Sequence, residues 1–140
     1  MWYLWIFGNA TESKIGFWRF SGFFIICGSI SMLTQAAYSP LSAIPIVGAS
    51  GAIAGIMGMH FILLPLSKML VWIPPIFFIR VPAFVFCIIW FYVQYVSANA
   101  SAHTPVAWWA HIGGFITGSI WGLSMRIRGT AAKTKKRGKC

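Results

Sequence analysis

Gly48-Ala49-Ser50-Gly51-Ala52-Ile53-Ala54-Gly55-Ile56-Met57-Gly58 opens one apolar run, and Ala110-His111-Ile112-Gly113-Gly114, followed by Gly118, opens another. In both stretches small residues recur every three or four positions, which puts them on one face of a helix. Stripes of this kind let two helix backbones approach closely in lipid, where no hydrophobic effect drives helices together. Gly55 and Gly58 on one run and Gly114 and Gly118 on the other are therefore read as packing positions. Each stretch also carries one chemically competent side chain near its start, Ser50 and His111.

Composition sets the environment. The 140 residues are 59% hydrophobic and 17% aromatic, with a mean hydropathy of +0.78, too apolar for a soluble domain. Four apolar runs stand out, Ile15–Tyr38, Pro45–Leu66, Ile73–Val96 and Val106–Met125. Each has about the roughly 20 residues that a helix needs to cross a ~30 Å hydrocarbon core. They do not alternate as barrel strands do, and lipid admits only helices or closed barrels. The expected fold is all-α, a polytopic transmembrane helix bundle with four full spans. Met1–Gly8 is too short to span and reads as the end of an earlier helix whose beginning lies outside this sequence. Asn9–Lys14 reads as a polar turn, Leu66–Pro75 as a loop broken at Pro74-Pro75.

Charge sets the orientation. The net charge is +10, and seven of the eleven basic residues follow Met125. Such a tail beside a membrane helix is a retention signal that touches anionic lipid rather than a nucleic-acid face. Two units follow, a membrane domain over 1–125 and a basic cytoplasmic tail over 126–140. The loops Ser39–Pro45 and Ser97–Pro105 contain no Lys or Arg, and four alternating spans place every basic segment on the opposite side. The positive-inside rule makes that side cytoplasmic, in the cell membrane. Ser50 and His111 then both enter from outside, each about five residues or roughly 7 Å down its helix.

The single acid, Glu12, excludes most hydrolytic chemistry. Paired carboxylates and a Ser-His-Asp triad both need acids the chain does not have, and no Cys/His spacing suits a metal or other cofactor. Cys27 and Cys87 read as small core residues. A Ser-His dyad survives, in which imidazole takes the serine proton and returns it to the leaving group. Of the three histidines, His60 lies ten residues beyond Ser50 on the same helix, about 15 Å deeper and off its face. His103 is in a loop. His111 has the matching depth, and an ionisable residue within a span is a functional candidate because placing it there costs energy. Gly48 and Gly51 give a substrate backbone room beside the hydroxyl, and the Ser50 N–H at a helix start can bind an oxyanion.

On these residues the chain resembles the rhomboid intramembrane serine proteases, from Met1 to about Leu123. The family carries Gly-x-Ser-Gly at the start of one helix, here Gly48-Ala49-Ser50-Gly51. It carries Ala-His-x-x-Gly-x-x-x-Gly on its sixth, here Ala110-His111-Ile112-Gly113-Gly114 with Gly118. Leu4-Trp5-Ile6-Phe7-Gly8 through Glu12 is similar to the end of its second helix. Trp90, Phe91 and Gln94 are similar to its fifth, which implies a lateral gate at Trp90 and Phe91. The resemblance implies a serine endopeptidase in which nucleophile Ser50 and base His111 cleave transmembrane segments of membrane proteins near the outer side of the bilayer. The family also has a His-x-x-x-Asn pair on its second helix, before the position of Met1, which completes the oxyanion hole. Some members place a tyrosine where this chain has Ala54. The serine endopeptidase is the leading reading; the alternative, in which lack of the pair leaves the chain as given inactive, is a rhomboid-like pseudoprotease that binds membrane helices.

Overall fold

The computed structural model describes residues 2–40, 49–73, 77–100 and 106–137. A π-helical turn, Leu4–Gly8, runs directly into α1 (Asn9–Ile15). Four longer helices follow, α2 (Phe17–Tyr38), α3 (Ser50–Leu63), α4 (Ala83–Ala100) and α5 (Trp108–Arg137), with strands β1 (Lys68–Ile73) and β2 (Phe77–Pro82) between α3 and α4. α2 and α4 are each long and apolar enough to cross a membrane, and α3 is a shorter apolar helix of 14 residues.

α3 is the core. Every residue from Gly51 to His60 is buried, a helix apolar all round and enclosed on all sides. Its glycines are where the neighbours press in. A β-carbon on Gly114 of α5 would collide with the Gly51 carbonyl oxygen, and one on Gly118 with that of Gly55. One on Gly122 would stand 3.2 Å from the Met59 carbonyl oxygen. The contacts advance four residues at a time along both helices, so α3 and α5 run parallel in backbone contact. Ser119 Oγ adds a bond to the Gly58 carbonyl at 3.3 Å.

α2 closes the other side. Its buried residues Phe23, Cys27 and Ser31 are four apart on one face. Cys27 stands against Gly55 and Ser31 against Gly51, so α2 runs antiparallel to α3. The opposite face, with Ile25, Ile26 and Leu33, is exposed, which suits a helix bordered by lipid.

Two expectations are corrected. Asn9–Lys14 is helical rather than a turn, because its polar side chains bond within the helix: Ser13 Oγ donates to the Asn9 carbonyl at 2.8 Å and Thr11 Oγ1 to the Phe7 carbonyl at 2.7 Å. The break falls at Gly16, whose φ of 86° requires glycine and whose N–H caps the Glu12 carbonyl at 2.7 Å. Nor is 73–96 one helix. Its first third folds back as β2 on β1, antiparallel, with Lys68 opposite Pro82 and Leu70 opposite Arg80. The fold is thus mainly helical with one small hairpin. Pro82 disfavours helix before itself, and α4 starts just after it, at Ala83. There the Ala83 N–H donates to the Ser67 carbonyl at 2.8 Å and the Phe84 N–H to the Pro65 carbonyl at 3.0 Å.

Candidate active site

Ser50 is the first residue of α3 and is exposed. The first intrahelical bond runs from the Ile53 N–H to the Ala49 carbonyl at 3.0 Å. The N–H groups of Ser50, Gly51 and Ala52 therefore have no acceptor within the helix, and no side chain caps them. They form a small donor cluster beside the serine hydroxyl, at the positive end of the helix dipole. Gly48 lies outside the described residues, as does His103.

His111 stands in the first turn of α5. The parallel packing sets its depth: a β-carbon on Gly51 would lie 3.4 Å from the Ala110 carbonyl oxygen, so the residues next to Ser50 and His111 are neighbours across the helix interface. Three side chains hold the start of α5. Gln35 of α2 accepts the Ala110 N–H at its Oε1, 3.2 Å. Tyr38 of α2 stacks on Trp109 with ring centroids 3.8 Å apart and planes 3° from parallel. Gln94 of α4 places Oε1 2.7 Å from His111 Nδ1. Trp90 and Trp108 flank the imidazole with centroids 6.1 and 6.0 Å away. No hydrogen bond joins Ser50 to His111, and Nε2 has no partner among the described residues.

Trp90 and Phe91 are partly buried and lie over Phe115 of α5, at 5.9 and 5.0 Å between centroids. They cover α5 near the histidine. The sequence marked Gln94 only by its similarity to the family's fifth helix, without a role in the site, and did not mark Gln35. An isolated glutamine in an apolar run has no spacing pattern, and only the cost of burying an amide marks it.

The other histidine among the described residues is placed very differently. His60, in the last turn of α3, is 2% exposed. Its Nδ1 is 3.3 Å from Thr11 Oγ1 and its Nε2 2.6 Å from Ser67 Oγ. Thr11 already gives its only proton to the Phe7 carbonyl, so it can only accept from Nδ1–H. Nε2 then accepts the Ser67 hydroxyl proton. The Phe7 ring meets the imidazole edge-on at 5.1 Å. This knot ties α1, the end of α3 and the start of the hairpin together, with both imidazole nitrogens engaged.

An apolar helical bundle thus presents a serine and a half-bonded histidine at the same end of two parallel, glycine-packed helices. That is the outline of a membrane-embedded hydrolase. The chain matches the Rhomboid domain over residues 1–128, and it belongs to the rhomboid family of intramembrane proteases, membrane proteins that are generally serine proteases acting on transmembrane substrates. Neither a curated protein nor a solved structure gives a match.

Proposed function

We propose that this chain is an intramembrane serine endopeptidase that cuts transmembrane segments near the outer side of the bilayer. The observation that carries this reading is the pairing of Ser50, beside free helix N-terminal donors, with His111, whose Nδ1 is bonded and whose Nε2 is not. In the reaction, Nε2 takes the Ser50 proton as Oγ attacks the scissile carbonyl. The oxyanion is received by N–H groups at the start of α3, which the helix holds in place before substrate arrives. The imidazolium then protonates the leaving amine, and a water repeats the sequence to release the acyl group. Ser50 and His111 are not bonded at rest, and the bond forms as substrate is seated, as catalytic hydrogen bonds commonly do.

In this reading α2, α3, α4 and the apolar half of α5 are the four spans, and Gly48 gives the substrate backbone room, whereas the expectation for Gly51 is corrected, since it is buried against Ser31 and Ala110. Trp90 and Phe91 sit where a substrate passes between α4 and α5. With four alternating spans, the positive-inside rule assigns the neutral loops to the outer side. The basic residues after Met125 form a cytoplasmic tail against anionic lipid, next to the membrane domain over 1–125. The test is cleavage of a model transmembrane substrate in proteoliposomes. Ser50→Ala and His111→Ala should each abolish it, and unchanged cleavage in Ser50→Ala would end the proposal. The unbonded serine also suits a second reading, a pseudoprotease that holds membrane helices; binding of the substrate without cleavage by the chain extended upstream would favour it.

A further inference from the structure

Resting on the protease reading, a further role falls to a side chain outside the dyad. Along α4 the buried residues are Ala83, Cys87 and Gln94, which makes Gln94, 6% exposed, the polar member of that buried face. An amide in an apolar bundle costs free energy unless both ends are satisfied or one is used. Its Oε1 faces His111 Nδ1 at 2.7 Å. An amide oxygen only accepts, so Nδ1 carries the imidazole proton and Nε2 keeps its lone pair. A free neutral imidazole prefers the other tautomer, with Nε2 protonated, which cannot accept a serine proton.

We propose that Gln94 is the positioning residue of the dyad, fixing the His111 tautomer and ring plane from a different helix. It stands where a Ser-His-Asp triad has its acid, but without the charge. A lone carboxylate at this depth would be costly to desolvate, and the chain's single acid, Glu12, is far along the sequence. No proton moves to Gln94. When Nε2 takes the Ser50 proton, the Nδ1–H···O bond becomes charge-assisted and strengthens, so the neutral amide stabilises the imidazolium. Trp90, one turn earlier on α4, lies along the same imidazole. The seat of α4 on α5 is therefore a condition for a competent base.

Two readouts on the full chain in lipid test this. Nitrogen-15 spectra of histidine-labelled protein report the tautomer directly, with His111 assigned by its loss in His111→Ala. A fluorophosphonate probe reports Ser50 reactivity. Wild type should show Nδ1–H at His111. Gln94→Met, which keeps the volume and removes the acceptor, should turn the majority to Nε2–H and slow labelling about 10- to 10²-fold, a part of the roughly 10²–10⁴-fold that general-base catalysis provides. Gln94→Asn, which keeps an amide acceptor on a shorter arm, should recover part of the rate and of the Nδ1–H tautomer. His60, bonded to Thr11 and Ser67, should keep its tautomer throughout and so reports that each variant is folded. Nε2–H at His111 in wild type would overturn the proposal, as would an unchanged tautomer and rate in Gln94→Met. Labelling that depends on His111 but not on Gln94 would sink the positioning role alone. The expected tautomer change with no labelling in any variant would sink the protease reading alone.

Discussion

The two histidines among the described residues stand at opposite ends of α3 and are bonded in opposite ways. At its C-terminal end, inner in the proposed topology, His60 is enclosed, with Thr11 on one nitrogen and Ser67 on the other at 2.6 Å. At its N-terminal end, outer in the proposed topology, His111 is partly exposed, held by Gln94 on one nitrogen and unbonded at the other among the described residues. By distance alone, Ser67 and His60 make the better Ser-His pair. Chemistry favours the looser one. A base needs a nitrogen that can exchange partners, a nucleophile needs an approach for substrate, and an oxyanion needs donors not already used. Ser50 has the exposure and the free helix N-terminus; Ser67 has neither, since the carbonyls around it are engaged by Ala83 and Phe84 at the start of α4. A saturated hydrogen-bond network marks a structural joint, and an incomplete one at an accessible helix end marks a site.

Substitutions can break or sharpen that contrast. The largest effect is expected at the outer histidine. His111→Ala should lower substrate cleavage and probe labelling by at least about 10²–10⁴-fold, the span of general-base catalysis, with little change in thermal stability. His60→Ala should do the reverse, leaving labelling of the folded fraction intact while unfolding in denaturant shifts by about 1–3 kcal/mol for the unpaired groups left behind. If His60→Ala removes labelling and His111→Ala does not, the roles assigned to the two ends are exchanged.

Next in size is the glycine interface that brings the outer pair together. Gly118→Ala drives a methyl into the Gly55 carbonyl, which backbone cannot yield easily. Overpacking of this kind costs about 1–3 kcal/mol, and here it should reduce activity as well by parting α3 from α5. Gly129→Ala, with nothing within 4 Å, is the matched control and should be silent in both measurements. The smallest effect is expected at the stacked pair over the outer end. Tyr38→Leu should lose about 0.5–1.5 kcal/mol of stacking with Trp109, seen as a modest fall in thermal stability and a weaker hold on the start of α5.

Much of the outer site was legible in the sequence because it is written in spacing. Glycines four apart announce a helix interface, and two motifs equally far into their runs announce a shared depth. What was not legible has no period. Gln94 and Gln35 reach partners on other helices, 17 and 75 positions away, and an amide looks alike whether it orients a base or joins two helices. The inner knot was hidden for the same reason, with Thr11 and His60 49 positions apart. The hairpin escaped because hydropathy cannot tell an apolar strand from an apolar helix. The aromatic and β-branched residues around Pro74-Pro75, with Pro82 at the far end, were the better signal. Asn9–Lys14 misled by polarity alone, since its hydroxyls turn back onto the helix that carries them.

The most direct measurement is to map by mass spectrometry the residue that a fluorophosphonate probe modifies in lipid-embedded protein. The adduct should sit on Ser50, persist in His60→Ala and disappear in His111→Ala. An adduct on Ser67 that depends on His60, or one on Ser50 that survives the loss of His111, would contradict the assignment of the catalytic end.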